Sequence, residues 1–165
     1  MSEKHPLVER LEGLWRDENR AALAALRRAL MPGGEASVYP YVAPFFPTRP
    51  DARRERALVT LASLFALHPG AGGLTLPRAL RRVREAKQSG SMDGRFVALL
   101  DAELEDVVEH LRHAVSLIRG AEVPLDWSDL LNALLQWGHE DRWVQRKWAR
   151  MYWAEDGVDK EDNQS

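Results

Sequence analysis

The sequence predicts an all-α protein, an orthogonal bundle of about seven or more helices. Three observations predict it. Apolar residues recur at helical spacing along most of the chain. No segment alternates apolar and polar residues with the period of two that a half-buried strand needs. Breakers fall between the periodic segments, at Pro32-Gly33-Gly34, Pro69-Gly70, Gly90, Gly120 and Gly138. With 165 residues, 45% of them hydrophobic, the chain is expected to form one helical domain over 1–154, or two small lobes. An acidic, flexible tail over 155–165 is expected to follow.

The first long helix is predicted over Pro6 to Leu30, from Leu7, Leu11, Leu14, Trp15, Leu23, Leu26 and Leu30. Alanines 21, 22, 24 and 25 add propensity. Arg16, Arg20 and Arg27 lie close to one line along it, with Arg28 beside them; pairing with Asp17 and Glu18 on a solvated face explains them equally well. Residues 38–50 hold Pro40, Pro44, Pro47 and Pro50 and are expected to form an ordered loop without regular helix. Their aromatics, Tyr39, Tyr41, Phe45 and Phe46, are expected to pack on the helices rather than stack on bases. A second major helix, Asp51 to His68, is apolar nearly all round and should be central. Arg53, Arg54 and Arg56 in its first turn have the wrong sign for a helix N-terminus. They point to an external anion or to an acidic helix further along.

A helix capped by Thr75, with Pro77 in its first turn, should run to about Ser89. It carries Arg78, Arg81, Arg82, Arg84 and Lys87 against the single acid Glu85, and internal pairing alone accounts poorly for that excess. The glycines before it lack the Gly-Lys-Ser/Thr of a phosphate loop. Residues 89–94 read as a turn, and a short helix begins at Arg95. The next amphipathic run, Glu103 to Arg119, bears Asp101, Glu103, Glu105, Asp106 and Glu109 along one exposed face, read as solvated or as an ion-pair partner for the arginines. Asp126 and Asp129 form an approximate capping box for a buried helix from Trp127 to Trp137. Gly138 then turns the chain into a helix over Glu140 to Ala154. That helix presents Val144, Trp148, Met151 and Tyr152 as an apolar stripe, and Arg142, Arg146, Lys147 and Arg150 elsewhere. Trp148 and Trp153 are assigned to the core.

Charge and composition narrow the function. The net charge of −2 argues at first against a polyanion partner, but five acids and one lysine crowd the last eleven residues, leaving 22 basic against 20 acidic residues before them. Arginine outnumbers lysine 19 to 4. Guanidinium forks phosphate and stacks on bases better than ammonium does, although a source organism that prefers arginine would give the same ratio. The absence of cysteine excludes a disulfide framework and thiolate metal ligation. No run of about 18 uncharged apolar residues is present, and the N-terminus lacks the pattern of a signal peptide, so a cytoplasmic protein with no membrane partner is expected. His110 and His113 are three apart and could face one metal, but no third and fourth ligands at matching spacing accompany them. No nucleophile-and-base pair is evident. His68 and His139 are read as helix-terminus residues. No cofactor and no catalytic activity are expected.

The order of motifs resembles the CasB family, small subunits of the type I-E CRISPR surveillance complex Cascade. The likeness covers residues 10–154. It rests on ENRAALAALRRAL after Trp15, the Tyr39-Pro40 loop, LPRALRR, RFVALLDAELEDVVEHLRHAVSLI, and DWSDLLNALLQWGHEDRWVQRKWARMYW, with Leu134 to Trp137 and Trp148 to Trp153 the most telling part. The resemblance implies a non-catalytic subunit, present in two copies beside the guide-RNA backbone. It would help to hold the target and displaced DNA strands of the R-loop, while guide pairing reads the sequence. Other Cascade subunits, guide RNA, the two DNA strands and a second copy of the chain are the implied partners. Carried onto matching segments, the nucleic-acid-binding residues would be Arg20, Arg27, Arg28, Arg81, Arg84, Arg142, Arg146, Lys147 and Arg150. A structural adaptor, whose arginines bind acidic protein surfaces without touching nucleic acid, is the alternative.

Overall fold

The computed structural model describes residues 4–88 and 90–154, so the acidic stretch 155–165 lies outside the described residues. The helices are α1 (Pro6–Arg16), α2 (Arg20–Arg28), α3 (Tyr39–Val42), α4 (Ala52–Phe65), α5 (Leu76–Lys87), α6 (Ser91–Asp101), α7 (Val107–Gly120), α8 (Trp127–Leu135) and α9 (Trp143–Trp153). Short 3-10 turns flank α3 at Glu35–Val38 and Ala43–Phe45. Among the described residues the β pairing amounts to one parallel bridge, Leu74 with Leu125. The chain is all-α, as its periodicity requires.

Helix α4 is the hub. Eight of its residues are buried, from Ala57 through Phe65, and it packs on α1, α2, α3, α7 and most extensively α8. Carboxylates of the chain itself, beside the three arginines, cap its first turn, and Arg53 donates to the Gly138 carbonyl at 3.4 Å. Asp51 accepts a hydrogen bond from the Arg54 amide at 3.2 Å, and Glu55 accepts from the Asp51 amide at 2.9 Å. Two carboxylates at the positive end of the helix dipole take the place of an external anion. A second group of helices gathers around α7 and α5: α5 packs on α7 and α9, and α6 on α7.

Local chemistry redraws several predicted boundaries. The single helix expected over 6–30 is two. Asp17 ends α1, Glu18 adopts a left-handed φ of 54°, and Asn19 caps α2 by accepting from the Ala22 amide at 3.0 Å. A short polar side chain that bonds the following backbone competes with helix continuation. The proline loop is largely helical, because Pro40 and Pro44 sit in first turns, where no amide donor is missed. Helix α6 starts at Ser91 instead of Arg95, and α7 starts at Val107 instead of Glu103. The late start of α7 has a visible cause. The indole N–H of buried Trp137 donates to the carbonyl of Ala102 at 2.8 Å, which holds that residue extended. Thr75 adopts an N-cap backbone but makes no capping bond; its hydroxyl points to the Met151 sulfur at 3.8 Å. Asp126 caps α8 as predicted, accepting from the Asp129 amide at 3.0 Å.

The glycine-rich segment before α5 is a clamp. Leu74 donates to the Pro124 carbonyl at 3.0 Å, and Asp126 donates to the Leu74 carbonyl at 2.7 Å. Gly73 has φ +119°, and a Cβ there would lie 2.5 Å from the Pro124 oxygen, so both backbone angle and space require glycine.

Helix α9 is seated by aromatic rings. Tyr152 stacks on Phe96 of α6 at 4.3 Å, and Trp148 packs edge-to-face on Trp137 at 5.1 Å. Trp137, Trp148 and Tyr152 are almost wholly buried. Trp148→Ala should therefore cost about 3–5 kcal/mol of stability. Urea unfolding would read this as a lowered midpoint with little change in slope.

Candidate nucleic-acid interface

Helices α5 and α9 pack side by side although about sixty residues separate them in sequence. This brings the most arginine-rich helix of the chain beside the lysine and arginines of the tryptophan helix. The helix that carries Arg81 and Arg84 thus packs on the one that carries Lys147 and Arg150. The third predicted group, Arg20, Arg27 and Arg28, belongs to α2, whose main neighbours are α1, α4 and the first 3-10 turn.

The nine predicted residues divide by what they already touch. Arg27 donates to the Ala66 carbonyl at 3.3 Å, at the C-terminal end of α4. Arg81 is mostly buried and pairs with Glu85 at 3.2 Å, one turn on. Arg142, with a left-handed φ of 53°, donates to the Leu100 carbonyl at 2.5 Å. Arg146 pairs with Asp141 at 3.1 Å and also bonds its carbonyl. Arg20, Arg28 and Arg150 are exposed and form no ion pair among the described residues. Lys147 is exposed as well, and its charge, with that of Arg78, acts on Asp129 of α8. Burial is the larger influence on Asp129 and raises its pKa, helped by Asp126; the two cations pull the other way.

Arg84 is the most engaged of the set. Its guanidinium lies 4.6 Å from the centre of the Tyr152 ring and bonds Asp93 at 3.3 Å. The Tyr152 hydroxyl donates to the same Asp93 oxygen at 2.8 Å. The Tyr152 bond is the main cause that holds the Asp93 carboxyl below its usual range; burial opposes it, and Arg84 and the Trp153 indole add to it. Burial first, and Asp93 second, push the Tyr152 phenol up to about 12. This triad ties α5, α6 and α9 together, so Arg84 joins the helices that form the face.

Sequence reasoning placed Trp153 in the core, and the structure corrects this: it is 42% exposed. Trp143, at the other end of α9, is 36% exposed. Helical phase could have shown both. Trp143 precedes Lys147 and Arg150 by four and seven residues, the spacing of one face. His110 and His113 line a cavity of about 310 Å³ with Phe96, Leu99 and Arg95. No group of three potential metal ligands occurs among the described residues. His68 bonds the Val123 carbonyl at 2.7 Å, and its own carbonyl accepts from the Trp127 indole at 3.1 Å. No described helix is long and apolar enough to cross a membrane.

Fold and surface together define a small all-helical bundle whose distinctive surface is a pair of packed, cation-bearing helices. The chain belongs to the Cse2 family of CRISPR-associated proteins, whose family model matches residues 22–153. A Cse2 protein of Thermus thermophilus is 40% identical over 147 residues, 86% of this chain and 83% of that one. The crystal structure of a Cse2-family protein from the same organism matches with a TM-score of 0.79 and 36% identity, covering 93% of this chain and 99% of the other. CasB of M. ruber matches with a TM-score of 0.70 and 34% identity, over 88% and 89% of the two chains. A chain of a CRISPR RNA-guided surveillance complex, pre-nicking, matches with a TM-score of 0.76 and 29% identity, over 96% and 94%.

The Arg84–Asp93–Tyr152 triad gives a signed pH dependence. A carboxyl lowered on folding contributes stability above its unfolded pKa, and that contribution is lost as pH falls through the lowered value. A phenol raised on folding contributes fully below about 10 and loses that contribution as pH rises through about 12. In Tyr152→Phe, the Asp93 carboxyl should titrate nearer its usual value by NMR, and the alkaline loss of stability should shrink. An unchanged Asp93 titration would show that the bond is not made in solution.

Proposed function

We propose that this chain is a non-catalytic subunit of a CRISPR RNA-guided surveillance complex of the Cascade type, and that it holds nucleic-acid backbone. The observation that carries the proposal is the packing of α5 on α9, which sets two basic helices next to each other. Family membership and the match to a surveillance-complex chain supply the setting. In that setting the face would steady the target and displaced strands of an open R-loop beside the guide RNA. Base pairing supplies sequence recognition, so the subunit needs only a cationic track. Other subunits of the complex and a second copy of the chain are the remaining proposed partners, with the cytoplasm as the site of action.

The exposed cations Lys147 and Arg150 are the residues of this set best placed to meet phosphate, with Arg20 and Arg28 as a separate patch on α2. Arg81, Arg84 and Arg146 already face carboxylates of the chain, and this favours a second reading for them. They act as structural ties that shape the face, as an adaptor's arginines would.

The reconstituted complex tests the proposal. Lys147→Glu with Arg150→Glu should weaken R-loop retention and flatten its salt dependence. If both residues meet single-strand phosphates, the log–log slope should fall by about 1.4. Unchanged R-loop lifetime and slope would reject the role. Arg84→Glu should instead lower thermal stability together with binding, which separates structural ties from phosphate contacts.

A further inference from the structure

The exposed face of α9 carries more than charge. Around a helix that turns about 100° per residue, Trp153, Arg146, Arg150, Trp143 and Lys147 fall in that order within an arc of about 120°. The opposite side holds the buried Val144, Gln145, Trp148 and Tyr152. The two tryptophans stand about 15 Å apart along the axis, at the two ends of the row of cations. Two tryptophan rings stay partly in water at the ends of a row of cations, so the helix offers flat apolar faces beside positive charge.

Their setting favours a base over an apolar protein surface. Trp153 meets Phe96 edge-on at 5.4 Å and Tyr152 edge-on at 4.8 Å. These contacts fix the ring while leaving two fifths of it in solvent. A ring already held loses little freedom when a flat partner settles on it. The cations lie between the rings, so a strand stacked on both would carry its phosphates past them. Charge excludes a purely apolar partner, and the rings add what a phosphate track alone would not need. A duplex hides its base faces, so the ligand must be unpaired.

We infer that Trp143 and Trp153 form a stacking platform for unpaired bases, and that Lys147 and Arg150 hold the phosphates between them. The ligand class is therefore single-stranded nucleic acid, gripped by base faces without regard to sequence. The inference rests on the nucleic-acid reading above and narrows it from backbone contact to base stacking.

The test compares two strands on the full chain at about 50 mM salt, where phosphate contacts are strong. One is a fluorescein-labelled oligothymidylate of twelve nucleotides; the other is the same sugar-phosphate strand with abasic sites throughout. The stacking platform predicts that the abasic strand binds about tenfold or more weakly, a loss set by missing stacking. Both strands should show the same log–log salt slope, because their phosphates are the same. Trp143→Ala should weaken oligothymidylate binding toward the abasic level and leave abasic binding unchanged, which also shows that the variant is folded. Trp143→Phe should restore part of the loss. Equal affinity for the two strands would overturn the platform while leaving the backbone reading standing, and would assign the rings to a protein neighbour. Equal weakening of both strands by Trp143→Ala would overturn it as well. A chain that binds neither strand would overturn the platform together with the reading beneath it.

Discussion

The aromatic seat beneath α9 is the interaction on which the rest depends. Trp148 and Tyr152 enter the core against Trp137 and Phe96, and Trp137 fixes Ala102 through its indole N–H. These contacts join α6 to α9 and to the segment that follows α8, both distant from it in sequence. They also decide which way the remaining side chains of α9 point. Once Val144, Trp148 and Tyr152 are inside, Lys147 and Arg150 must be outside, because the helix allows no other arrangement. The position of the basic face therefore follows from apolar burial. Exposed charge pairs contribute little to folding and could not set that position themselves.

Arginine serves two purposes in this molecule. Some guanidiniums tie elements together: Arg27 to the end of α4, Arg142 to the end of α6, and Arg84 across three helices. Others, notably Arg28 and Arg150, stand in water with no carboxylate partner among the described residues. Arginine suits the first task because its planar fork can bond a carbonyl or carboxylate and still lie on an aromatic ring, as Arg84 does with Asp93 and Tyr152. The near-neutral total charge of the chain is then no obstacle to a cationic face. What matters is how many cations remain unanswered on one side, and the ties determine that.

Much of the fold was legible in the sequence. Leu58, Leu61 and Leu64 announced a central α4, and Asp126 announced the cap of α8, since both signals are local and both act within one turn. The misread boundaries have tertiary or fine local causes. Asn19 reads as one more polar position on a helix, although its side chain caps α2. The late start of α7 depends on a bond from Trp137, thirty-five residues away. The candidate face was legible only in part. Helical phase named Lys147 and Arg150, but nothing in the sequence states that α5 lies against α9. Nor does it state that Asp93, nine residues beyond Arg84, turns back to meet it. Trp153 shows how residue type misleads: a tryptophan reads as core, although it follows Arg150 and Arg146 by three and seven residues, on the exposed face of α9.

Photo-crosslinking of the assembled complex on an R-loop, followed by mass spectrometry of the crosslinked peptides, tests the central claim most directly. A cationic face built by α5 and α9 predicts crosslinks to DNA within α9, at Trp143 through Trp153, and on the neighbouring α5. Crosslinks confined to α1 and α3, or a chain that yields none while other subunits crosslink well, would contradict it.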